Sequence, residues 1–303
     1  MIIGNNRNWD RKEWEEWCNN LIRERVGYQN FKRVPDQDQG DGGIESFTLC
    51  GMVIQAYCPE EAVGIRKLAD HQRDKITNDI KKFIENKDKK VENILGSVKV
   101  QRWVLMVPTL ESKRLLIHAN NKAKEVISAN LPYVDNNNFD IFIWDQSDFP
   151  KETHALLEQG CATLKLDPGI IAANDIEAFE SNSSELITTM RNKLSKLCDE
   201  PEELDEAVSM LVRCSVESNN MKDQLLEDYP TLYQDLEKEA RERENQLVLE
   251  KFSKNPPNQS IEEQKDILED RIKKRCSIDD GNIRTLSYGI VSDWLMRCPL
   301  RFK

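Results

Sequence analysis

The sequence predicts an α/β domain over residues 1–150 followed by an all-helical domain over 151–303. Three observations predict it. Apolar runs of strand length (IESFTL, GMVIQAY, VQRWVLMVP and NFDIFIWD) all fall before Pro150. The segments between them carry apolar residues at three- and four-residue spacing, the helical period. Beyond Pro150 only that period continues, interrupted by Asp199-Glu200-Pro201, by Asn219-Asn220 and by the run NPPNQS.

Each element has its own warrant. Residues 9–26 place Trp14, Trp17, Cys18, Leu21 and Ile22 on one stripe, the mark of an amphipathic helix, and Gly27 closes it. The stretch VPDQDQGDGGIE is dense in Gly, Asp and Pro and reads as turns. IESFTL and GMVIQAY then read as two strands joined by a tight hairpin at Cys50-Gly51. A long charged helix is expected over 60–93, with Ile65, Leu68, Ile76, Ile80, Phe83 and Ile84 as its apolar line. VQRWVLMVP is nearly continuous in apolar residues and suits a central strand covered on both faces. Residues 112–129 return to the helical period, and NFDIFIWD is a further buried strand. Helix, hairpin, helix, strand, helix, strand describes an α/β layer with a small mixed sheet. In the second half, helices are expected over 171–198, 203–219, 221–252, 261–276 and 284–298. The run LYQDLEKEARERENQLVLEKF has a thin apolar line, so it reads as a solvated helix or a docking helix for a partner.

Composition narrows the function classes. Of the 303 residues, 39% are hydrophobic and 32% charged. No apolar run approaches the roughly 18–20 residues that span a bilayer. The start, MIIGNNRNWDRKEWEEW, lacks a basic segment followed by an apolar one, so no secretory signal is expected. Eight cysteines are scattered without a CxxC pair, which argues against a disulfide framework or structural zinc and for a reducing cytoplasm. Residues 1–150 hold 22 basic against 23 acidic side chains, and residues 151–303 hold 21 against 31. The net charge of −11 therefore lies almost wholly in the second half. Nucleic acid, which needs local cations, is better matched to the first half, and a protein partner to the second.

The densest chemistry is GDGGIESFTLCGMVIQAY, with Asp41, Glu45, Gln55 and Tyr57. Strand alternation puts Gln55 and Tyr57 on one face, and the hairpin brings Glu45 near the end of the second strand. Carboxylates at a sheet edge suit an oxygen-loving divalent cation such as Mg²⁺, although Gly-Asp-Gly-Gly is also an ordinary tight loop. A calcium loop is excluded, because Asp41 stands at its sixth position and Phe47 at its twelfth. A phosphate loop is excluded by the missing GK[ST] ending. His71, His118 and His154 have no metal-ligand spacing.

Trp14-Glu15 on the first helix, Gly27-Tyr28, Gly40-Asp41-Gly42-Gly43-Ile44-Glu45 and Val53-Ile54-Gln55-Ala56-Tyr57 together resemble the Mrr-type branch of the PD-(D/E)xK nucleases. The resemblance covers residues 10–60 and extends more weakly to about 150. It implies a restriction-endonuclease-like fold and Mg²⁺- or Mn²⁺-dependent cleavage of DNA within a prokaryotic restriction or anti-phage system. Carried over, Glu45 is the principal metal-binding acid, Gln55 fills the second strand position, and Glu15 supports the site from the helix; on the nuclease reading Asp41 joins Glu45 in holding the metal and Gln55 orients the water or metal shell. The sequence departs from the pattern twice. Glu45 stands where the family has Asp, a tolerable change of ligand. Tyr57 stands where the catalytic Lys belongs, and a neutral phenol does not supply a cation. Lys67 or Lys75, on the helix that follows, is the candidate replacement, and Lys75 is preferred. Lys75 also reads, with Asp74, Asp79, Lys81 and Lys82, as one of the solvated charges of a helix surface. Two functions follow: a metal-dependent DNA endonuclease, or a catalytically inactive nuclease-fold adaptor whose acidic helical half docks onto a partner such as an ATPase. An oligomer is compatible with either.

Overall fold

The computed structural model describes residues 1–4, 9–35, 42–61, 63–198, 200–250 and 260–297. These fall into two compact units. The described residues of 7–156 form one, and those of 1–6 and 157–303 form the other. The elements run β1 (Ile2–Ile3), α1 (Arg11–Val26), β2 (Phe31–Arg33), β3 (Ser46–Thr48), β4 (Met52–Ala56), α2 (Ile65–Glu85), α3 (Lys90–Leu95), β5 (Arg102–Met106), α4 (Lys113–Ser128), β6 (Asp140–Trp144), α5 (Pro150–Glu158), β7 (Thr163–Leu164), α6 (Ala173–Asn182), α7 (Ser184–Leu194), α8 (Pro201–Asp228), α9 (Pro230–Glu250), α10 (Ile261–Arg275) and α11 (Asp280–Arg297).

The first unit is α/β. Its sheet has the order β2-β3-β4-β5-β6. β2, β3 and β4 are antiparallel, and β4, β5 and β6 are parallel. The hairpin turns at Gly51, with Gly51 N–H on the Thr48 carbonyl at 3.1 Å. The parallel strands need crossovers, which α2 with α3 and then α4 supply. On one sheet face Phe47, Val53, Trp103, Leu105, Ile141 and Ile143 join Ile76, Ile80 and Phe83 of α2 and Leu115, Ala119 and Val126 of α4 in a single core. α1 packs on β2 and β4, and Trp14 Nε1 donates to the Met106 carbonyl at 3.1 Å. Asp10 caps α1 by accepting from the N–H groups of Lys12 and Glu13.

Two glycines are demanded by close approach. At Gly43 φ is +83°, and an added Cβ would lie 2.4 Å from the Asp79 carbonyl oxygen of α2. At Gly289 of α11 it would lie 2.1 Å from Ser218 Cβ of α8.

The second unit is helical. α8 and α11 pack closely, joined by α7, α9 and α10, with a buried hydrogen bond of 2.8 Å between Ser215 and Ser292. α9 buries the thin stripe Leu232, Leu236, Ala240, Arg243 and Leu247 and packs on α8 and α10. Arg243 is buried but satisfied by Gln264 and Glu250. No described helix is long and apolar enough to cross a membrane.

Several elements differ from the sequence expectation. The helix over 60–93 is two helices, because Asn86 caps α2 in the left-handed conformation and its side chain accepts from Val91 N–H in α3 at 2.9 Å. Strands do not stop at Pro150: β7 pairs in parallel with β1, and both are too short to show a period. The helix over 171–198 breaks at Ser183, whose φ and ψ are −122° and 23°. Asn219-Asn220 does not break a helix. Ser218 and Met221 are buried beside it and Asn220 Nδ2 donates to the Pro168 carbonyl, so α8 continues until Tyr229, the residue before Pro230. The NPPNQS break lies largely outside the described residues.

Trp103 is fully buried at the centre of the first core. Trp103→Ala is expected to lower the stability of that unit by about 3–5 kcal/mol, checked by denaturant unfolding of the full chain.

Candidate functional site

The site is built where the loop into β3, the end of β4 and one face of α2 meet. Glu45 precedes β3. Its backbone N–H donates to the Ile54 carbonyl, and its Oε2 accepts from Ala56 N–H at 2.8 Å. These two bonds hold the carboxylate against the end of β4. Gln55 lies inside β4, fully buried. By alternation it shares the face of Val53, which looks toward α2.

α2 brings Lys75 to them. Its Nζ donates to Gln55 Oε1 at 2.9 Å and lies 3.7 Å from Glu45 Oε1. It also pairs with Asp79 Oδ2, one turn on, at 2.8 Å. The Asp79 contact is an ion pair outside hydrogen-bond alignment, since Oδ2 has no aligned donor. Asp79 also pairs with Lys82 Nζ at 3.1 Å. Its side chain is 2% exposed, that of Glu45 14% and that of Lys75 19%. The structure therefore brings together Glu45, Gln55 and Lys75, and Lys75 is no solvated surface charge. Asp41 lies outside the described residues.

Glu15 stands at one remove, its carboxylate on Arg33 Nη2 at 2.7 Å. It shares a neighbour with Glu45: the buried Cys18 thiol of α1 is pushed well up by burial first, then by the charge of Glu45, with smaller contributions from Cys58 and Glu15. Tyr57 follows Gln55 by two residues and is half-buried. Its phenol is raised above the usual range by burial, then by Cys58 and Glu60.

Asp79, expected from its lysine neighbours to lie on a solvated helix surface, is instead buried. The signal was present, since 79 falls between Ile76, Ile80 and Phe83 on the buried stripe of α2 and four residues after Lys75. An acid on an apolar stripe is costly unless paired.

Three oxygen-bearing side chains and an ammonium thus converge: Glu45, Gln55 and Asp79, with Lys75 at the centre. Hard oxygen donors suit Mg²⁺, which is held by one or two carboxylates and keeps several waters. Among the described residues no group of three His, Cys, Asp or Glu assembles for a metal. Glu45 is the carboxylate there that a hydrated ion would have to rest on, since Asp79 is taken up by Lys75 and Lys82.

In comparisons with known proteins, no family model, no curated protein and no solved structure matches the chain.

Burial makes a chemical prediction. Cys58, pushed up to about 11 mainly by burial, and Cys18 stay protonated at neutral and mildly alkaline pH. Cys50 and Cys161 are exposed to reagent. Iodoacetamide at pH 8 is expected to label Cys50 and Cys161 first and to spare Cys18 and Cys58 until the chain unfolds, as read by peptide mass spectrometry.

Proposed function

We propose that the first unit is a restriction-endonuclease-like domain of the Mrr type, and that the chain is a metal-dependent DNA endonuclease of a prokaryotic restriction or anti-phage system. The observation that carries this reading is the position of Lys75. Tyr57 occupies the strand position where the resemblance calls for lysine, and an ammonium from α2 lies 2.9 Å from Gln55 Oε1 and 3.7 Å from Glu45 Oε1 instead. A cation beside the principal acid is what that chemistry requires.

Glu45 would hold the ion, with Asp41 as its proposed second ligand. Bound Mg²⁺ would neutralise phosphodiester charge and lower the pKa of a water. The chain's own residues do the rest. Ala56 N–H fixes the Glu45 carboxylate, Asp79 fixes Lys75, and Lys75 offers its charge to a phosphate oxygen in the transition state. Gln55 orients the ammonium through its amide oxygen. Glu15 is a positioning residue, acting from α1 through its neighbourhood with Cys18 and Arg33.

A second reading has a specific observation behind it. Lys75 is already neutralised by Asp79 at 2.8 Å, and no three-ligand group forms among the described residues. A domain retained as a scaffold would look like this, with the acidic helical unit docking a protein partner such as an ATPase.

Cleavage of supercoiled DNA with Mg²⁺ or Mn²⁺ separates the two. Glu45→Ala and Lys75→Gln are each expected to lower the rate by about 10²–10³-fold while the thermal transition persists, because Lys82 still pairs with Asp79 in the lysine variant. Wild-type rates in Glu45→Ala would sink the nuclease reading. Mg²⁺ is further expected to raise the melting temperature of the wild type by mass action and to leave that of Glu45→Ala unchanged.

A further inference from the structure

Beside the site, at the end of β4, lies a cleft of about 440 Å³ that also reaches Lys75 and Ala56. Its wall on α2 carries Lys67, His71 and Lys75. These are four residues apart and therefore stacked on one helix face. Arg11 of α1 contributes a further cation, Tyr57 an aromatic wall, and Glu60 and Glu61 two carboxylates. Lys75 is engaged as described, but the side chains of Arg11, Lys67 and His71 form no ion pair or hydrogen bond among the described residues. Arg11 and Lys67 are exposed, and His71 is half-buried.

We propose that this cleft receives one nucleotide of a single strand, so that the substrate of the neighbouring site is single-stranded or frayed nucleic acid. The proposal rests on the nuclease reading and names its substrate class. Three physical facts point there. Cations on two elements suit a phosphate on its way to Lys75. A bare anion would be repelled by Glu60 and Glu61, whereas a base offers amino and imino groups that carboxylates accept from. An aromatic wall beside a cationic track is the usual arrangement for unpaired bases.

The test is binding without turnover. Fluorescence anisotropy of a labelled single-stranded oligonucleotide is measured with the full chain in EDTA, with the same sequence as duplex and a nucleoside monophosphate as competitors. The single strand is expected to bind at least tenfold more tightly than the duplex, and the monophosphate to compete only at far higher concentration. Arg11→Glu with Lys67→Glu is expected to weaken binding at least tenfold and to flatten the salt dependence by about 0.7 for each phosphate that is no longer neutralised. Both residues are exposed, so circular dichroism should be unchanged. Tyr57→Leu is expected to weaken binding about tenfold. Undiminished binding in the charge-reversed variant, tighter binding of duplex, or a monophosphate competing as well as the strand would each overturn the proposal. Binding in EDTA and cleavage with Mg²⁺, measured on the same preparations, separate the two readings. Binding as described with no cleavage would remove the nuclease reading alone, and cleavage with unchanged binding in the charge-reversed variant would remove this one alone.

Discussion

A carboxylate buried on an apolar helix stripe has to find a cation, and in this protein the Asp79–Lys75 pair sets the terms for everything around it. Asp79 sits among Ile76, Ile80 and Phe83 with almost no access to water. Left unpaired there, it would cost several kcal/mol. Lys75 neutralises it from one turn away, with Lys82 donating to its other oxygen, and Lys75 also reaches across to Gln55 in β4 and toward Glu45. The helix is thereby tied to the sheet at one register. The loop before β3 completes the constraint. It passes α2 so closely that only glycine fits at position 43, and this delivers Glu45 to the end of β4.

Tyr57 borders the same arrangement. Two residues after Gln55, its half-buried phenol packs against the core. The same residue also lines the cleft shared with Arg11, Lys67 and His71. Tyr57 from the end of the strand and Lys75 from the helix thus border the same cleft.

The sequence discloses the α/β architecture because its strong signals are long. The stripes of α1, α2 and α4 and the continuous apolar run of β5 each repeat often enough to be read. It hides β1, β2 and β7, which have two or three residues each and exist through their partners rather than any period of their own. It also misleads at Asn219-Asn220, where weak helix formers are carried through by buried neighbours on either side, and at Asn86, where a single left-handed residue ends a helix whose charge pattern continues. Within the site, the hairpin and its alternation make the proximity of Glu45 and Gln55 legible, whereas the approach of Lys75 depends on how α2 crosses the sheet. Asp79 was concealed by its company, since an acid between lysines looks like a solvated surface until its place on the apolar stripe is counted.

The central claim of the proposed function is that Glu45 and Lys75 act as one unit across the gap between β3 and α2. A double-mutant cycle on the proposed DNA cleavage tests it most directly, using Glu45→Gln, Lys75→Gln and the two together, with folding checked for each. The account predicts strong non-additivity, the double variant losing no more than about the larger single loss. Losses that multiply in the double variant would mean that the two groups act independently and would contradict it.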